Sequence, residues 1–426
     1  MRLGAWSITQ RNAISLVSLF LCALRKPASA FPPSPLLFAR RSMSSLSASA
    51  SSPPTLPSQL LRPLPMIDIG ANLLDPTFTG TYQGKQRHPS DFERVLQRGV
   101  RGLAGGEAAA AAVDAGVCSA IIITAGTLAE SVAAAKMAED LNARCLREEG
   151  LPREEGCLDD SAAAHPDRAF LRGTGGRRFF TTCGVHPTRA GEIFTDADPT
   201  GAAYISSLSA FLHSQKSSGA IVALGEVGLD YDRLHFCDKE TQLKALSLLL
   251  PLSFAHSLPL FLHNRSCGSD LLDLLRSNPQ WCSRGGVVHS FDGPLSLASG
   301  FLSLGLHLGL NGCSVRGGEQ HGVVRGLPLE RILIETDAPW CDIRPSHASY
   351  GFVHSWKDRK GRDPKKFVPG ETVKGRNEPM FLRWVLEAVA GIKGEEVGKC
   401  ADIFFDNTRR VFFNNGKESE VTEVSK

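Results

Sequence analysis

The feature that most constrains the fold is a repeated alternation of short apolar runs with longer segments, which begins at Met66. Each run is rich in Ile, Val, Leu or Phe and ends in polar or glycine-rich residues, and most of the longer segments have helical character. Apolar strands that alternate with helices are typical of a parallel sheet that is covered on both faces. Eight runs are present, at residues 66–70, 119–124, 179–185, 220–226, 258–263, 286–289, 306–311 and 331–336.

Eight such units over roughly 350 residues predict a closed (β/α)8 barrel of the TIM type. The hydrophobic content of 42% is ordinary for a globular protein with a large core. We therefore predict one barrel domain over residues 66–415, with a charged, glycine-rich insertion near residues 144–178. A flexible tail is expected over residues 416–426.

Residues 1–65 have a different composition, with thirteen serines, several arginines and neither Asp nor Glu. This composition predicts a mitochondrial or chloroplast transit peptide that ends in a Pro/Ser-rich linker. Two alternatives remain. The apolar run 13–24 followed by Ala-Ser-Ala at 28–30 resembles a secretory signal peptide, and an internal start at Met43 or Met66 would leave the protein in the cytoplasm or nucleus. The apolar run is too short for a membrane span, which needs about 20 residues.

Net charge and cysteine spacing bear on two simple classes of protein. The formal charge of +3 comes from the first 67 residues, and the remainder carries 40 basic against 44 acidic residues, so global charge gives no support for nucleic-acid binding. Eleven cysteines without a C-x-x-C pair indicate reduced thiols instead of a disulfide framework or a structural zinc site.

Ligand-type side chains stand at the ends of four predicted strands: Glu226, His263, His289 and Asp337. In a barrel, residues at the carboxyl ends of the strands converge on one mouth, although they are far apart in the sequence. Two imidazoles and two carboxylates suit zinc, manganese or a similar divalent ion. One such residue alone would more often be a structural hydrogen-bond partner, but four together favour a metal site.

Three further polar residues follow the same rule, and each has two interpretations. His186, after the third strand, could contact a phosphate or assist proton transfer, or it could brace the turn before Pro187. Asp68, in the first strand, could orient a ligand or bind metal, or it could only hydrogen-bond a neighbouring loop. Arg265 could donate two hydrogen bonds to a phosphate, or it could form an ordinary surface ion pair.

Seven strings that contain these residues resemble the TatD family of metal-dependent deoxyribonucleases and look most similar to its eukaryotic branch. They run in family order from residue 66 to about residue 415. The strings are IDIGANL at 67–73, CGVHP at 183–187, ALGEVGLD at 223–230, LFLHNR at 260–265, VVHSFDG at 287–293, LIETDAPW at 333–340 and RNEP at 376–379.

The resemblance implies a TIM-like barrel of the metal-dependent hydrolase superfamily that binds one or two divalent ions, Mg, Mn or Zn. The family's metal ligands correspond to the four strand-end residues, with Glu226 as the bridge where two ions are bound. Many relatives open with Asp-x-His-x-His, whereas this chain has Gly70 and Asn72 at the two histidine positions. Asp68 and Asn72 are therefore expected as second-site or orienting residues, and we expect the second ion to be held weakly.

The function that the resemblance implies is hydrolysis of DNA phosphodiester bonds. A metal ion lowers the pKa of a bound water toward about 7 and polarises the phosphoryl oxygen. We expect Asp337 to accept the proton, with Glu226 and His186 as further catalytic residues, and Arg265 and His186 to hold phosphate oxygens. Trp340 could stack on an unpaired base or pack against the barrel rim.

We expect a monomer that acts on single-stranded DNA or on DNA ends, by exonuclease or endonuclease action. Two other functions remain as alternatives. One is a metal-dependent amidohydrolase or esterase acting on a small or tRNA-linked substrate, since the same ligands polarise carbonyl groups. The other is a non-catalytic barrel that binds proteins, which the four retained ligand-type residues disfavour.

Overall fold

The computed structural model of the chain describes residues 64–100, 117–148, 166–357, 359 and 361–413. Nearly all of the predicted targeting segment, the middle of the predicted insertion and the predicted tail lie outside these residues. None of the helices within the described ranges combines the length and the apolar character that a membrane crossing requires.

Eight parallel strands form one sheet in chain order, and its first and last strands meet. Ala71 pairs with Ala338, and the backbone N–H of Asp337 donates to Gly70 O at 2.8 Å. This arrangement confirms the predicted (β/α)8 barrel. The strands are β1 (Ile67–Ala71), β2 (Ala120–Ile123), β3 (Phe179–Cys183), β4 (Ile221–Asp230), β5 (Leu260–Arg265), β6 (Gly286–Val288), β7 (His307–Leu310) and β8 (Ile332–Ile334). A short hairpin of Thr81–Tyr82 with Lys85–Gln86 lies apart from this sheet.

Helices connect the strands, as the alternation predicts. The sequence suggests a single helix over 241–256, but the structure divides it, because Pro251 has no N–H to continue the hydrogen-bond ladder. The α-helices are α1 (Phe92–Gly99), α2 (Leu128–Glu148), α3 (Pro166–Gly173), α4 (Ala202–Ser214), α5 (Lys239–Leu249), α6 (Pro251–His256), α7 (Asp270–Ser277), α8 (Leu295–Ser303), α9 (Gly318–Gly326), α10 (Leu382–Lys393) and α11 (Val397–Phe412). Short 3-10 helices cover Pro76–Thr79, Pro187–Ile193, Tyr231–Arg233, Pro279–Cys282, Leu329–Arg331, Ala348–Phe352, Pro364–Lys366 and Pro379–Phe381.

Both ends of the predicted insertion are helical and partly buried. Helix α2 extends to residue 148 and buries Cys145, while α3 buries Phe170. These ends therefore belong to the barrel domain, and the predicted boundaries of 144 and 178 are too wide for a surface insertion.

The barrel interior is filled by alternate apolar side chains of the strands, among them Ile69, Ile122 and Phe261. Near the amino ends of the strands, Phe180 makes edge contacts with Phe170 and with Phe413, which follows the last helix. A packed interior excludes a pore, so the polar chemistry is confined to the opposite end, at the carboxyl ends of the strands.

Candidate metal centre

Glu226 enters the barrel mouth from a bulge in β4. The sequence places Glu226 at the end of the fourth strand. The strand instead continues to Asp230, so Glu226 lies inside it. The pairing of β4 with β5 changes register between Leu224 and Val227. Such a bulge re-aims a side chain, and the N–H of Glu226 donates instead to Ala125 O at 3.0 Å.

Three of the predicted ligands meet at one carboxylate oxygen. Glu226 Oε1 lies 2.6 Å from His263 Nδ1 and 2.7 Å from His289 Nε2. The two imidazole nitrogens are 3.1 Å apart, and His186 Nε2 lies 3.5 Å from the same oxygen. The ligand-type atoms of His186, Glu226 and His263 all lie within 4.8 Å of one another. The fold thus brings together residues that are up to 103 positions apart in the sequence.

Two acidic residues that the sequence analysis did not single out stand behind the histidines. Asp230 is buried, and its Oδ2 lies 3.5 Å from His263 Nε2. Glu335 is wholly buried, and its Oε1 lies 3.5 Å from His289 Nδ1. A carboxylate behind a metal-binding imidazole fixes the orientation of the ring. Both lie within the strings 223–230 and 333–340, which was the available signal.

Glu335 also occupies the space beside Gly70. Its Oε1 accepts a hydrogen bond from the N–H of Ser290, whereas its buried Oε2 has no hydrogen-bond partner among the described residues. A Cβ atom at Gly70 would lie only 2.8 Å from Oε2. Gly70, at a position where many relatives have histidine, therefore leaves space for the Glu335 carboxylate. The Oε2 atom of this carboxylate has no hydrogen-bond partner among the described residues.

Asp337 is held at both carboxylate oxygens. It has left-handed backbone (φ 52°), its Oδ1 accepts from Asn72 Nδ2 at 2.9 Å, and its Oδ2 accepts from Cys341 Sγ at 3.2 Å. The Asn72 amide also donates to Ala338 O, and its Oδ1 accepts from Thr124 Oγ1. Asn72 thus orients Asp337, and its N–H group is directed at the carboxylate.

Asp68 is hydrogen-bonded to the segment that carries Asp337. Its carboxylate accepts hydrogen bonds from Thr336 N at 2.9 Å and Thr336 Oγ1 at 2.6 Å, and from Gly70 N at 3.2 Å. Burial raises the pKa of Asp68 to about 7, although the Thr336 hydrogen bonds oppose this. These contacts are those of an orienting residue, and none of them reaches the histidines.

The carboxylates and imidazoles perturb one another strongly. Burial alone would raise the pKa of Glu226, but His289, His186 and His263 hold it well below its usual range. Burial would lower the pKa of His289, but Glu226 and Glu335 raise it well above its usual range.

At Asp337, burial of the carboxylate raises the pKa to about 6; His289 opposes the shift, whereas Glu335 and Glu226 reinforce it. Even with both imidazoles protonated, these three carboxylates leave an uncompensated negative charge in a poorly solvated place, which is costly without a cation. Imidazole nitrogens and carboxylate oxygens, together with the unpartnered Glu335 Oε2, fit a divalent metal ion.

His186 braces the turn before Pro187 with one ring nitrogen and directs the other toward the barrel mouth. Its Nδ1 accepts from Thr188 N at 3.2 Å and caps the 3-10 helix Pro187–Ile193, while its Nε2 faces Glu226. Burial lowers the pKa of His186 to about 4, so the ring is neutral near pH 7. Because Nδ1 accepts a hydrogen bond, the ring proton is on Nε2, which makes that atom a donor toward the mouth.

The remaining predicted site residues lie on the rim. Arg265 is about half exposed and pairs with Asp232 at 3.1 Å, apart from the histidines. The side chain of Trp340 is 55% exposed, so the ring does not pack in the core. A cavity of about 660 Å³ lies between the loops that follow β3 and β4, and its lining includes Phe236, Phe194 and Lys244.

The sequence matches the model of one known family, TatD related DNase, over residues 164–413. The chain belongs to this family. Membership assigns it to the nuclease hydrolases and agrees with the resemblance that the seven strings carry.

Known relatives support the assignment. The chain is 32% identical to the deoxyribonuclease Tat-D of Schizosaccharomyces pombe, over 82% of this chain and 96% of the relative. It is 30% identical to a 3'-5' ssDNA/RNA exonuclease TatD of Erwinia tasmaniensis, over 59% of this chain and 81% of the relative. A crystal structure of a TatD family hydrolase from Entamoeba histolytica is 31% identical and superposes with a TM-score of 0.63, covering 82% of this chain and 98% of the other.

Proposed function

We propose that this protein is a metal-dependent deoxyribonuclease whose ion is held by Glu226, His263, His289 and Asp337. The observation that carries the proposal is the convergence of two imidazoles on Glu226 Oε1, at 2.6 and 2.7 Å, in a member of the TatD related DNase family. A divalent ion in this place would lower the pKa of water and polarise a phosphoryl oxygen.

The chain's own residues supply the remaining steps. Asp337, fixed at both oxygens by Asn72 and Cys341, accepts the proton of the attacking water. The Nε2–H of His186 donates to a phosphate oxygen, since its Nδ1 is engaged with Thr188. Arg265 contributes a charge-assisted contact to the phosphate from the rim.

We propose further that the protein retains one ion firmly. Relatives that open with Asp-x-His-x-His have imidazole ligands where this chain has Gly70 and Asn72. Here, a donor N–H of Asn72 faces Asp337, and donor groups do not bind cations. Elemental analysis after extensive dialysis should find about one ion per chain, and two tightly held ions would contradict the proposal.

The substrate that suits the rim is a single strand or a frayed DNA end. The exposed rings of Trp340 and Phe236 offer faces on which unpaired bases stack, a contact worth roughly 1–3 kcal/mol per base. Exonuclease action by a monomer is the simplest form of this proposal. Time-resolved gels of 5'- and 3'-labelled strands would distinguish stepwise from internal cleavage, and sedimentation would give the mass in solution.

The decisive experiment is an assay of the purified full-length protein on labelled single- and double-stranded DNA. Cleavage should stop with EDTA and return with added manganese or magnesium. Cleavage that persists after chelation would rule out the metal-dependent mechanism. Hydrolysis of amide or ester substrates without any cleavage of DNA would instead assign the protein, with the same metal centre, to the amidohydrolase class.

For localisation, we propose that residues 1–65 direct the protein to a mitochondrion or chloroplast. The support is compositional: this segment contains no acid and thirteen serines. A fluorescent protein fused behind these residues should enter an organelle. A secreted fusion would favour the signal-peptide alternative, and a diffuse cytosolic or nuclear one would favour an internal start.

A further inference from the structure

Two cysteines meet at the mouth of the barrel. Cys313 lies in the loop that follows β7, and Cys341 lies in the loop that follows β8. Their Sγ atoms are 2.9 Å apart, in thiol–thiol contact. A disulfide holds its sulfurs about 2.05 Å apart, so a small approach of the two side chains would join them.

The packing of the two loops keeps these cysteines together. A Cβ atom at Gly312 would lie 2.1 Å from Cys341 O, so the two backbones are in direct contact and tolerate no side chain between them. The N–H of Cys313 donates to Asn311 Oδ1 at 2.9 Å, which fixes the start of its loop. The packing of these two loops therefore fixes the positions of both thiols.

The surroundings give the two sulfurs different roles. Arg316 Nη2 lies 3.5 Å from Cys313 Sγ, where a guanidinium stabilises a thiolate. Cys341, in contrast, has the carboxylate of Asp337 at 3.2 Å and donates its S–H to it. Cys313 is thus the nucleophilic sulfur and Cys341 is its partner.

Exposure separates this pair from the other cysteines that the structure describes. Cys313 and Cys341 are partly exposed, whereas the other seven in the described ranges are buried. Thiolate character and access decide which cysteine an oxidant reaches first. The pair therefore combines access, a neighbouring cation and a partner sulfur within contact distance.

We propose that Cys313 and Cys341 form a reversible dithiol–disulfide modification site that responds to hydrogen peroxide. The Cys313 thiolate attacks the peroxide O–O bond, giving a sulfenic acid and a hydroxide that leaves as water after taking up a proton. The Cys341 sulfur then attacks the sulfenic sulfur, forms the S–S bond and expels a second water, which carries away its proton. Two thiols are oxidised and the peroxide is reduced, and a dithiol reductant reverses the change.

The consequence concerns Asp337. A disulfide has no S–H, so oxidation removes the hydrogen bond that Cys341 donates to Asp337 Oδ2. Loss of a group that orients a metal ligand typically costs about 10- to 100-fold in activity or metal affinity. This part of the inference rests on the proposed deoxyribonuclease function, whereas disulfide formation does not.

The test uses the full-length protein treated with hydrogen peroxide and then with dithiothreitol. Non-reducing peptide mapping should find a crosslink between residues 313 and 341, and cleavage of single-stranded DNA should fall about tenfold and recover on reduction. Cys313→Ser should retain the activity of the reduced enzyme and lose the response to peroxide. Cys237→Ser, at a buried cysteine, should respond like the wild type.

Two results would overturn the inference: peroxide leaves both thiols unlinked, or Cys313→Ser is inhibited by peroxide as strongly as the wild type. A crosslink that leaves DNA cleavage unchanged would overturn its regulatory part. If the reduced protein cleaves no DNA, the proposed function fails, while peptide mapping still decides whether the disulfide forms.

Discussion

Two buried groups of charged side chains in this barrel are balanced in opposite ways. In the ionic cluster (Asp91, Arg98, Arg376 and Glu378), Arg376 donates to both oxygens of Asp91 at 2.7 Å and to Glu378 Oε1 at 2.9 Å. Arg98 donates to the other oxygen of Glu378 at 2.8 Å. Two guanidinium groups thus neutralise two carboxylates, and every carboxylate oxygen has a partner.

The metal-centre cluster (Glu226, His263, His289, Glu335 and Asp337) has no such balance. Its carboxylates face imidazoles, and one buried oxygen, Glu335 Oε2, has no hydrogen-bond partner within the described part of the chain. The comparison teaches that buried charge can have two purposes. In the ionic cluster the carboxylates are balanced by guanidinium groups of the protein, although Arg376 Nε has no hydrogen-bond partner in the described part of the chain, whereas the carboxylates of the metal-centre cluster are balanced when a cation binds.

The largest effect should come from Glu226→Gln, which keeps the shape of the side chain and removes its charge. We expect a loss of roughly 10³-fold or more in kcat/KM, about 4 kcal/mol, because the variant loses the anionic oxygen on which both imidazoles converge. Glu240→Gln, at an exposed position in α5, is the matched control. Wild-type cleavage by Glu226→Gln would exclude this site as the metal centre.

The same variant sharpens the comparison when stability is measured without metal. The low pKa of Glu226 means that its charge, facing the imidazoles, stabilises the fold at neutral pH, so Glu226→Gln should lower the free energy of unfolding of the EDTA-treated protein. Urea denaturation checks this. An unchanged or higher stability would mean that the imidazoles do not compensate Glu226 when no metal is bound.

The next effect concerns the ionic cluster. Arg376→Leu removes the cation shared by Asp91 and Glu378, so two buried carboxylates lose hydrogen bonds. We expect a loss of about 3–5 kcal/mol in the free energy of unfolding. Arg325→Leu, at an exposed position in α9, should have little effect. If the two variants are equally stable, the ionic cluster does not hold the fold together.

These contrasts show what the sequence could predict. The convergence of Glu226, His263, His289 and Asp337 follows from one rule, that the carboxyl ends of barrel strands share a mouth. The rule needs only the strand count and the residue type at each end. The string around Arg376 was recognisable as a match to the family, but its burial depends on Asp91, 285 positions away, and no local pattern encodes that contact.

The contacts behind the ligands also could not be predicted. Asp230 reaches His263 because β4 continues past the register change near Glu226, which a period-based prediction ends too early. The role of Asn72 depends on hydrogen bonds to Asp337 and Thr124 from different loops. Sequence patterns locate residues along strands, whereas these roles depend on distances across the barrel.

A smaller effect should follow from Asn72→Ala. The variant leaves all proposed ligands in place but removes the N–H that orients Asp337 Oδ1, so we expect kcat to fall about 10- to 100-fold. Metal titration should show weaker binding, in parallel with the loss of activity. Thr79→Ala, on the exposed segment after β1, is the control. Unchanged metal affinity together with unchanged kcat would leave Asn72 with only a structural role.

The smallest effect should come from Arg265→Ala, because this side chain is half exposed and lies outside the metal-centre cluster. As a phosphate contact, it should contribute about 1.5 kcal/mol, so KM should rise roughly tenfold while kcat changes little.

Asp232→Asn separates the two interpretations of Arg265, a phosphate contact or a surface ion pair, since it removes the charged partner that lies 3.1 Å from the guanidinium. If Arg265 binds phosphate, Asp232→Asn should leave KM unchanged or lower it. If the arginine only forms a surface ion pair, both variants should leave KM unchanged and shift stability by less than about 1 kcal/mol.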